Sequence, residues 1–142
     1  MGRVALDSYS GTTIIEGMDG RVTKPVAWVG SSYKDYRAFP DPVQDTMGYA
    51  LYRAQTGGMH ESAKPLKGFG GAGVVEIVED YGTDAYRVIY TVKFFRIIYV
   101  LHAFQKKAKK RGKTPDSEIE LVRRRLRTAE EDYRRLTEGE GT

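Results

Sequence analysis

The sequence of 142 residues contains no cysteine and only two histidines, His60 and His102. Without thiols the chain can form neither disulfide bonds nor thiolate metal sites. Imidazole ligands could come from these two histidines alone, so a metal site is not expected. We therefore expect the protein to work without a metal or any other cofactor.

Long apolar runs are also missing. The longest, residues 96–104, has the length of a β-strand and many β-branched side chains, which is typical of buried sheet rather than of a membrane span. Residues 1–23 lack the basic segment followed by an apolar segment that is typical of a signal peptide. We therefore expect a cytoplasmic protein that has no membrane partner.

Acidic side chains are absent from residues 96–113, where every charged residue is a lysine or an arginine. Over the whole chain, 23 Lys and Arg oppose 19 Asp and Glu, so the net charge is only +4. The placement of this charge is more informative than its size. A local basic run favours binding of a polyanion such as a nucleic acid.

The length of the chain is suited to one compact domain. Residues 1–23 are rich in Gly, Ser, Thr and Asp and show no sustained period, although residues 12–15 could pair as a short strand. We interpret this segment as a loosely attached N-terminal extension that could be flexible. Residues 24–142 are then the main domain.

The first half of this domain predicts a strand and two helices. Residues 24–30 are β-prone and end at a glycine. Ser31 and Ser32 can cap a short helix that ends before Pro40. A second helix is predicted with Asp41 as its N-cap and Gln44 completing a capping box. The apolar face of this helix carries Val43, Met47, Ala50, Leu51 and Ala54.

The second half predicts three strands, at residues 74–80, 86–94 and 97–104, and a final helix that starts at Pro115. The strands are too close in sequence for parallel crossovers, so they should form an antiparallel meander. This order of elements predicts an α+β fold, with the helices packed on one face of the sheet. The apolar stripe of the final helix is Ile119, Val122, Leu126, Ala129, Tyr133 and Leu136.

A tight turn at Phe95 and Arg96 would align the last two strands so that Ile89 opposes His102. One face of this pair is nearly all apolar and should receive the helices. It carries Tyr86, Val88, Tyr90, Val92, Phe94, Ile97, Tyr99, Leu101 and Ala103. The opposite face should form a polar surface. It carries Arg87, Thr91, Lys93, His102 and Phe104.

Cleavage of RNA without a metal requires a base for the 2′-hydroxyl, cations for the phosphorane and an acid for the leaving oxygen. Arg87, His102 and Lys93 are of suitable types and are the candidate catalytic residues. Phe104 could stack on an unpaired base, and the basic residues that follow it could hold phosphates. Those residues are Lys106, Lys107, Lys109, Lys110, Arg111 and Lys113.

Several segments resemble the phage-derived, HigB-like branch of the RelE/ParE toxin superfamily. They are residues 24–30, 33–40, 63–69, 86–90 and, above all, 100–107 with the sequence VLHAFQKK. The resemblance runs in order from about residue 24 to about residue 133. It implies a RelE-like fold and the toxin of a type II toxin-antitoxin system, encoded beside an Xre-type helix-turn-helix antitoxin.

The same resemblance implies inhibition of translation through ribosome-dependent cleavage of mRNA, by a metal-independent endoribonuclease. It places Arg87, His102 and Phe104 in the site, together with Lys106 and Lys107. It also adds two RNA-binding candidates from the loop before the sheet, Lys64 and Lys67. The chain departs from the family at the hairpin and in residues 1–23.

Other interpretations stay open from the residues alone. A ParE-like protein would share the fold but inhibit gyrase by binding it, since fold does not determine function. An inactive phage-derived domain would only bind its antitoxin or RNA. Arg87 could instead form a cross-strand salt bridge with Glu76, and His102 could be a hydrogen-bonded residue of the sheet.

Overall fold

The structure, a computed structural model, describes residues 3–7, 12–16, 23–106 and 114–140. Seven strands form a single sheet in the order β1-β2-β3-β7-β6-β5-β4. The strands are β1 (Arg3–Asp7), β2 (Thr12–Glu16), β3 (Val26–Trp28), β4 (Ala63–Pro65), β5 (Val74–Tyr81), β6 (Asp84–Thr91) and β7 (Ile98–Lys106). The helices are α1 (Ser32–Arg37), α2 (Asp41–Gln55) and α3 (Asp116–Glu140).

The sheet is mixed rather than purely antiparallel. β5, β6 and β7 pair antiparallel in chain order, but β3 pairs with β7 in the parallel sense. Two helices and three strands separate β3 from β7 along the chain, which supplies the long crossover that parallel pairing requires. β4 was not predicted; it pairs with β5 at one edge. Within the predicted N-terminal extension, β1 pairs with β2 and β2 pairs with β3.

The apolar face of α2 is buried as predicted, from Val43 to Ala54. The predicted capping box, however, does not form. The helix begins at Asp41, its N-cap is Pro40, and no side chain caps it. Nε2 of Gln44 donates instead to the carbonyl oxygen of Phe39 at 2.8 Å. The fixed backbone of Pro40 suits the helix start, but proline has no side-chain oxygen to cap with.

Helices cover both faces of the sheet, so the prediction that all of them pack on one face is wrong. Trp28 and Val88 pack with α2 in one core cluster. Ala27 and Leu101 pack with α3 in a second cluster. Because neighbouring residues of a strand point to opposite faces, apolar runs such as residues 26–29 need cover on both sides. The stripe of α3 supplies the second cover.

A bulge in β7 changes the predicted allocation of residues to the two faces. Ile89 does oppose His102, but the next residue, Tyr90, pairs with Val100 instead of Leu101. One additional residue in β7 is therefore accommodated between these pairs. As a result Leu101 and His102 both lie on the face covered by α3, although they are adjacent in sequence.

The predicted two-residue turn at Phe95 and Arg96 is also wrong. β6 ends at Thr91 and β7 begins at Ile98, so residues 92–97 form a longer connection. Phe94 is buried in this connection and packs against Tyr133 of α3, with 4.7 Å between the ring centroids and 40° between the ring planes. Phe-Arg lacks the glycine or asparagine of a tight hairpin turn, which agrees with the longer path.

None of the helices in the described residues has the length and apolar character needed to cross a membrane. The same residues contain no group of three or more acidic or histidine side chains that could hold a metal ion.

Candidate functional site

Arg87 is buried on β6, on the sheet face that α3 covers, with only 3% of its surface exposed. Its Nη1 donates to Oε2 of Glu76 at 3.0 Å and to Oγ1 of Thr114 at 3.1 Å. Thr114 in turn donates to the same carboxylate oxygen. The salt bridge between Arg87 and Glu76 is thus present, and it is buried rather than exposed. It joins two strands to the segment that starts α3.

His102 is also buried beneath α3, with 6% of its surface exposed, and its ring stacks on Phe104 at 4.8 Å between centroids. Its Nε2 contacts the carboxylate of Glu118, and its Nδ1 lies 3.4 Å from Nη1 of Arg125. Since a guanidinium only donates, Nδ1 must be the acceptor and Nε2 carries the proton. Burial lowers the pKa of His102, although Glu118 opposes this shift.

The prediction of an open, basic sheet face carrying Arg87 and His102 is therefore wrong. The cause is α3, whose apolar side chains bury this face while its polar side chains bond to the two residues. Burial of a charged or polar side chain is costly unless it is paired, and both residues are paired. Neither is presented directly to solvent.

An open cleft of about 560 Å³ lies beside this buried layer. We name it the β4–α3 cleft, because β4 and the loop after it form one wall and the start of α3 forms the other. Its cations are Lys64, Lys67 and Arg123, and its other polar residues are Glu76, Thr114 and Asp116. Pro65, Leu66, Gly68 and Ile119 complete it. The lining of the cleft therefore combines cations, carboxylates and apolar side chains.

Arg123 was not predicted as a site residue, yet the structure positions it well. Its guanidinium carbon lies 4.8 Å from the ring centroid of Phe69, a cation–π contact. A Cβ at Gly68 would lie 3.2 Å from Nη2 of Arg123, so the loop backbone closely approaches the guanidinium. These contacts hold the α3 cation against the loop that carries Lys67.

Lys64 and Glu76 are directly opposed residues of β4 and β5. Glu76 is in turn opposed to Ile89, and Ile89 to His102. These four residues form one row across the sheet. At about 4.8 Å per strand, the Cα atoms of Glu76 and His102 are about 10 Å apart. Arg87 donates to Glu76, and His102 lies two strands away from Glu76. Both residues are therefore near the cleft, but neither of them lines it.

Lys93 is placed elsewhere. Its Nζ pairs with Oε2 of Glu130 at 2.5 Å. Glu130 is three turns of α3 beyond Glu118, which corresponds to about 18 Å along the helix axis. The structure therefore does not bring Lys93 together with His102.

Of the remaining predicted RNA-binding residues, the structure describes two, Phe104 and Lys106. Phe104 is half-buried against the α3 cluster, and Lys106 is half-buried at the end of β7 opposite Ala85. The other basic residues of this run lie outside the described residues. They are Lys107, Lys109, Lys110, Arg111 and Lys113.

Five polar residues of this region were missed or given no role in catalysis or RNA binding: Glu76, Thr114, Glu118, Arg123 and Arg125. A signal for two of them was present in α3. Glu118 and Arg125 are seven residues apart, two helical turns, and each precedes a residue of the apolar stripe. Charged side chains at that spacing, beside a buried stripe, indicate contacts to whatever the stripe covers.

The family model described as Phage derived protein Gp49-like (DUF891) matches residues 34–127, more than half of the chain. The protein belongs to this Gp49-like family. The matched range runs from α1 into α3, so in this Gp49-like protein it contains the β4–α3 cleft, Arg87 and His102. No characterised protein and no solved structure gives a significant match to the Gp49-like chain.

Proposed function

We propose that this Gp49-like protein is the toxin of a type II toxin-antitoxin system, of the RelE/HigB-like kind, and that it inhibits translation by cleaving mRNA on the ribosome. The observation that carries the proposal is the β4–α3 cleft, which is lined by Lys64, Lys67 and Arg123 and lies within the region matched by the Gp49-like family. A phage-derived family and a cationic cleft next to buried Arg87 both agree with an RNA-directed toxin.

The cleft has the properties needed to hold one unstacked nucleotide of RNA. Lys64, Lys67 and Arg123 can neutralise the phosphates on either side of that nucleotide. Leu66 and Ile119 offer apolar surface to a base. A volume of about 560 Å³ admits one nucleotide but not a base-paired helix. Single-stranded mRNA, as presented by the ribosome, is therefore the substrate class that the cleft fits.

Chemically, the proposal is a metal-independent transesterification. The 2′-oxygen attacks the adjacent phosphorus, the bond from phosphorus to the 5′-oxygen breaks, and a 2′,3′-cyclic phosphate and a 5′-hydroxyl result. The cations of the cleft stabilise the charge that develops on the phosphorane oxygens. His102 can reach a substrate hydroxyl only after its contact with Glu118 or Arg125 is exchanged. Lys93 is held by Glu130, away from this chemistry.

The proposed partner is the Xre-type helix-turn-helix antitoxin expected from the adjacent gene. Inducible expression with and without that gene, followed by mapping of transcript ends, tests partner and chemistry together. We expect growth arrest, relief by the neighbour, and new transcript ends within translated codons. DNA damage without such ends would favour the gyrase-binding alternative, and the absence of toxicity would favour an inactive domain.

A matched pair of double variants tests the role of the cleft in the same assay. K64A/K67A removes two cations of the cleft and should relieve growth arrest. K34A/R134A removes the same charge from α1 and from the far part of α3, where both side chains are exposed. It should leave toxicity intact. Equal toxicity of the two double variants would contradict the assignment of RNA binding to the cleft.

A further inference from the structure

One carboxylate oxygen of Glu76 accepts the hydrogen bonds of the buried network, and the other accepts none from the described residues. Its side chain is 15% exposed and lines the β4–α3 cleft. Within the described residues, its hydrogen bonds from Arg87 and Thr114 both end on Oε2. Oε1 therefore keeps its capacity to accept a proton or a hydrogen bond from a molecule in the cleft.

The buried network fixes the orientation of this carboxylate. The guanidinium of Arg87 donates to Oε2 at 3.0 Å. The hydroxyl of Thr114 bonds to the same oxygen from the segment before α3. Two donors on one oxygen restrict rotation of the carboxylate, which pre-organises the other oxygen. Arg87 and Thr114 act here as positioning residues.

His102 is a weaker candidate for the same role. Both of its ring nitrogens are engaged, by Glu118 and by Arg125, and the ring is buried. Glu76 instead lines the same cleft as Lys64 and Lys67, the cations that would bind the substrate phosphates. A general base must lie within reach of the proton that it removes, and only Glu76 of these two residues lines the cleft.

We propose that Oε1 of Glu76 is the general base that takes the 2′-hydroxyl proton of the nucleotide in the β4–α3 cleft. This inference rests on the proposed function. The proton moves to Oε1 as the 2′-oxygen bonds to phosphorus. The 5′-oxygen leaves with the electron pair of its bond to phosphorus and takes a proton from the ammonium of Lys64 or Lys67. Transfer of the proton from Glu76 to that amine through solvent restores the starting state.

The test compares E76Q with E79Q in the full chain, using mRNA in a translating extract as substrate. Glu79 lies on the same strand but, three residues away, on the opposite face of the sheet. We expect E76Q to slow cleavage by about 100-fold or more, as is typical for loss of a general base. E79Q should cleave at the wild-type rate. Binding of an oligonucleotide with 2′-deoxyribose at the cleavage position should be unchanged in both.

The pH profile of cleavage separates a base from a merely structural residue. The pH profile of wild-type cleavage should have an acidic limb, and E76Q should lack that limb. Thermal denaturation establishes that E76Q is folded. If E76Q does not fold, E76D replaces it, because aspartate keeps the charge beside Arg87 but withdraws the oxygens by one methylene. E76D should slow cleavage by about tenfold or more, because a displaced base loses its alignment, without loss of oligonucleotide binding.

The outcomes distinguish this inference from the proposed function. Wild-type rates in folded E76Q, or in E76D, would overturn the assignment of Glu76 while the toxin activity stands. Loss of cleavage in H102Q together with full activity in E76Q would assign the base to His102. If the wild-type protein cleaves no mRNA in the extract, the proposed function fails, and the role of Glu76 fails with it.

Discussion

Nη1 of Arg125 lies 3.4 Å from Nδ1 of His102, so a guanidinium faces a buried imidazole across the interface between α3 and the sheet. The same guanidinium donates to the carbonyl oxygen of Leu101 at 3.0 Å and to Oγ of Ser31 at 3.1 Å. A permanent cation at this distance favours the neutral ring. Burial and Arg125 therefore lower the pKa of His102, while Glu118 and Asp35 act in the opposite direction.

Stability should consequently fall on mild acidification. In the unfolded chain His102 takes up a proton below about pH 6.5, whereas in the folded protein it stays neutral to a lower pH. Between these two pKa values the unfolded state binds more protons, so the free energy of unfolding decreases as pH falls, by at most about 1.4 kcal/mol per pH unit. Urea denaturation between pH 7.5 and 5.5 measures this slope. H102Q should show a smaller slope; equal slopes would contradict the prediction.

The buried pair of Arg87 and Glu76 should show strong coupling in a double-mutant cycle. R87M removes the guanidinium from Glu76, and E76L removes the carboxylate from Arg87; each change breaks the buried ion pair and should cost about 3–5 kcal/mol. The double variant R87M/E76L leaves neither charge, so its loss should be well below the sum of the single losses. Urea denaturation of the four proteins provides the cycle. Additivity within about 0.5 kcal/mol would show that the pair is not coupled.

The hydroxyl of Tyr99 should contribute to the docking of α3. It donates to Oδ2 of Asp132 at 2.6 Å, and only 4% of Asp132 is exposed. Y99F removes a donor from a buried carboxylate and should destabilise the protein by about 1–3 kcal/mol. Tyr133, which packs its ring on Phe94, is the matched control, and Y133F should cost less than about 0.5 kcal/mol. Similar losses in both variants would argue against a specific role of the Asp132 bond.

Alanine substitutions at Gly30 and Gly57 should separate the effect of a clash with Arg125 from the effect of backbone strain. Both have positive φ, of 59° and 87°, so alanine at either position pays about 1–2 kcal/mol for a left-handed backbone. A Cβ at Gly30 would also lie 2.9 Å from Nε of Arg125, whereas one at Gly57 would meet nothing within 4 Å. G30A should therefore destabilise more than G57A in thermal denaturation. G30A should also move the NMR signals of the His102 ring, because it displaces Arg125.

Much of the secondary structure could be predicted because it depends on local pattern. The buried face of α2, the three strands of residues 74–104 and the stripe of α3 all follow from periods of 3.6 and 2. The opposition of Ile89 and His102 was predicted from a turn at Phe95 and Arg96; the pairing is present although that turn does not form. The short strand β4 was missed, because three residues with a proline carry little strand signal.

The candidate site was predicted only in part, because its residues come from distant parts of the chain. Lys64 and Lys67 were predicted to bind RNA and line the cleft, and the pairing of Arg87 with Glu76 was one of the open interpretations. Arg123 reaches the cleft only after α3 has packed. Residue types alone could not reveal which face of the sheet α3 would cover. Nor could they reveal the bulge in β7, which places both Leu101 and His102 on the face covered by α3.

The sequence by itself determined most of the helices and strands, the placement of the basic residues and the resemblance to a toxin family, since these depend on composition and local period. Only the tertiary structure decided that Arg87 and His102 are buried, that helices cover both sheet faces, and that Glu76 lines a cationic cleft. The physical reason is that the α3 stripe becomes buried and the charged groups beneath it become paired at the same time. Both depend on contacts between residues that are far apart in sequence.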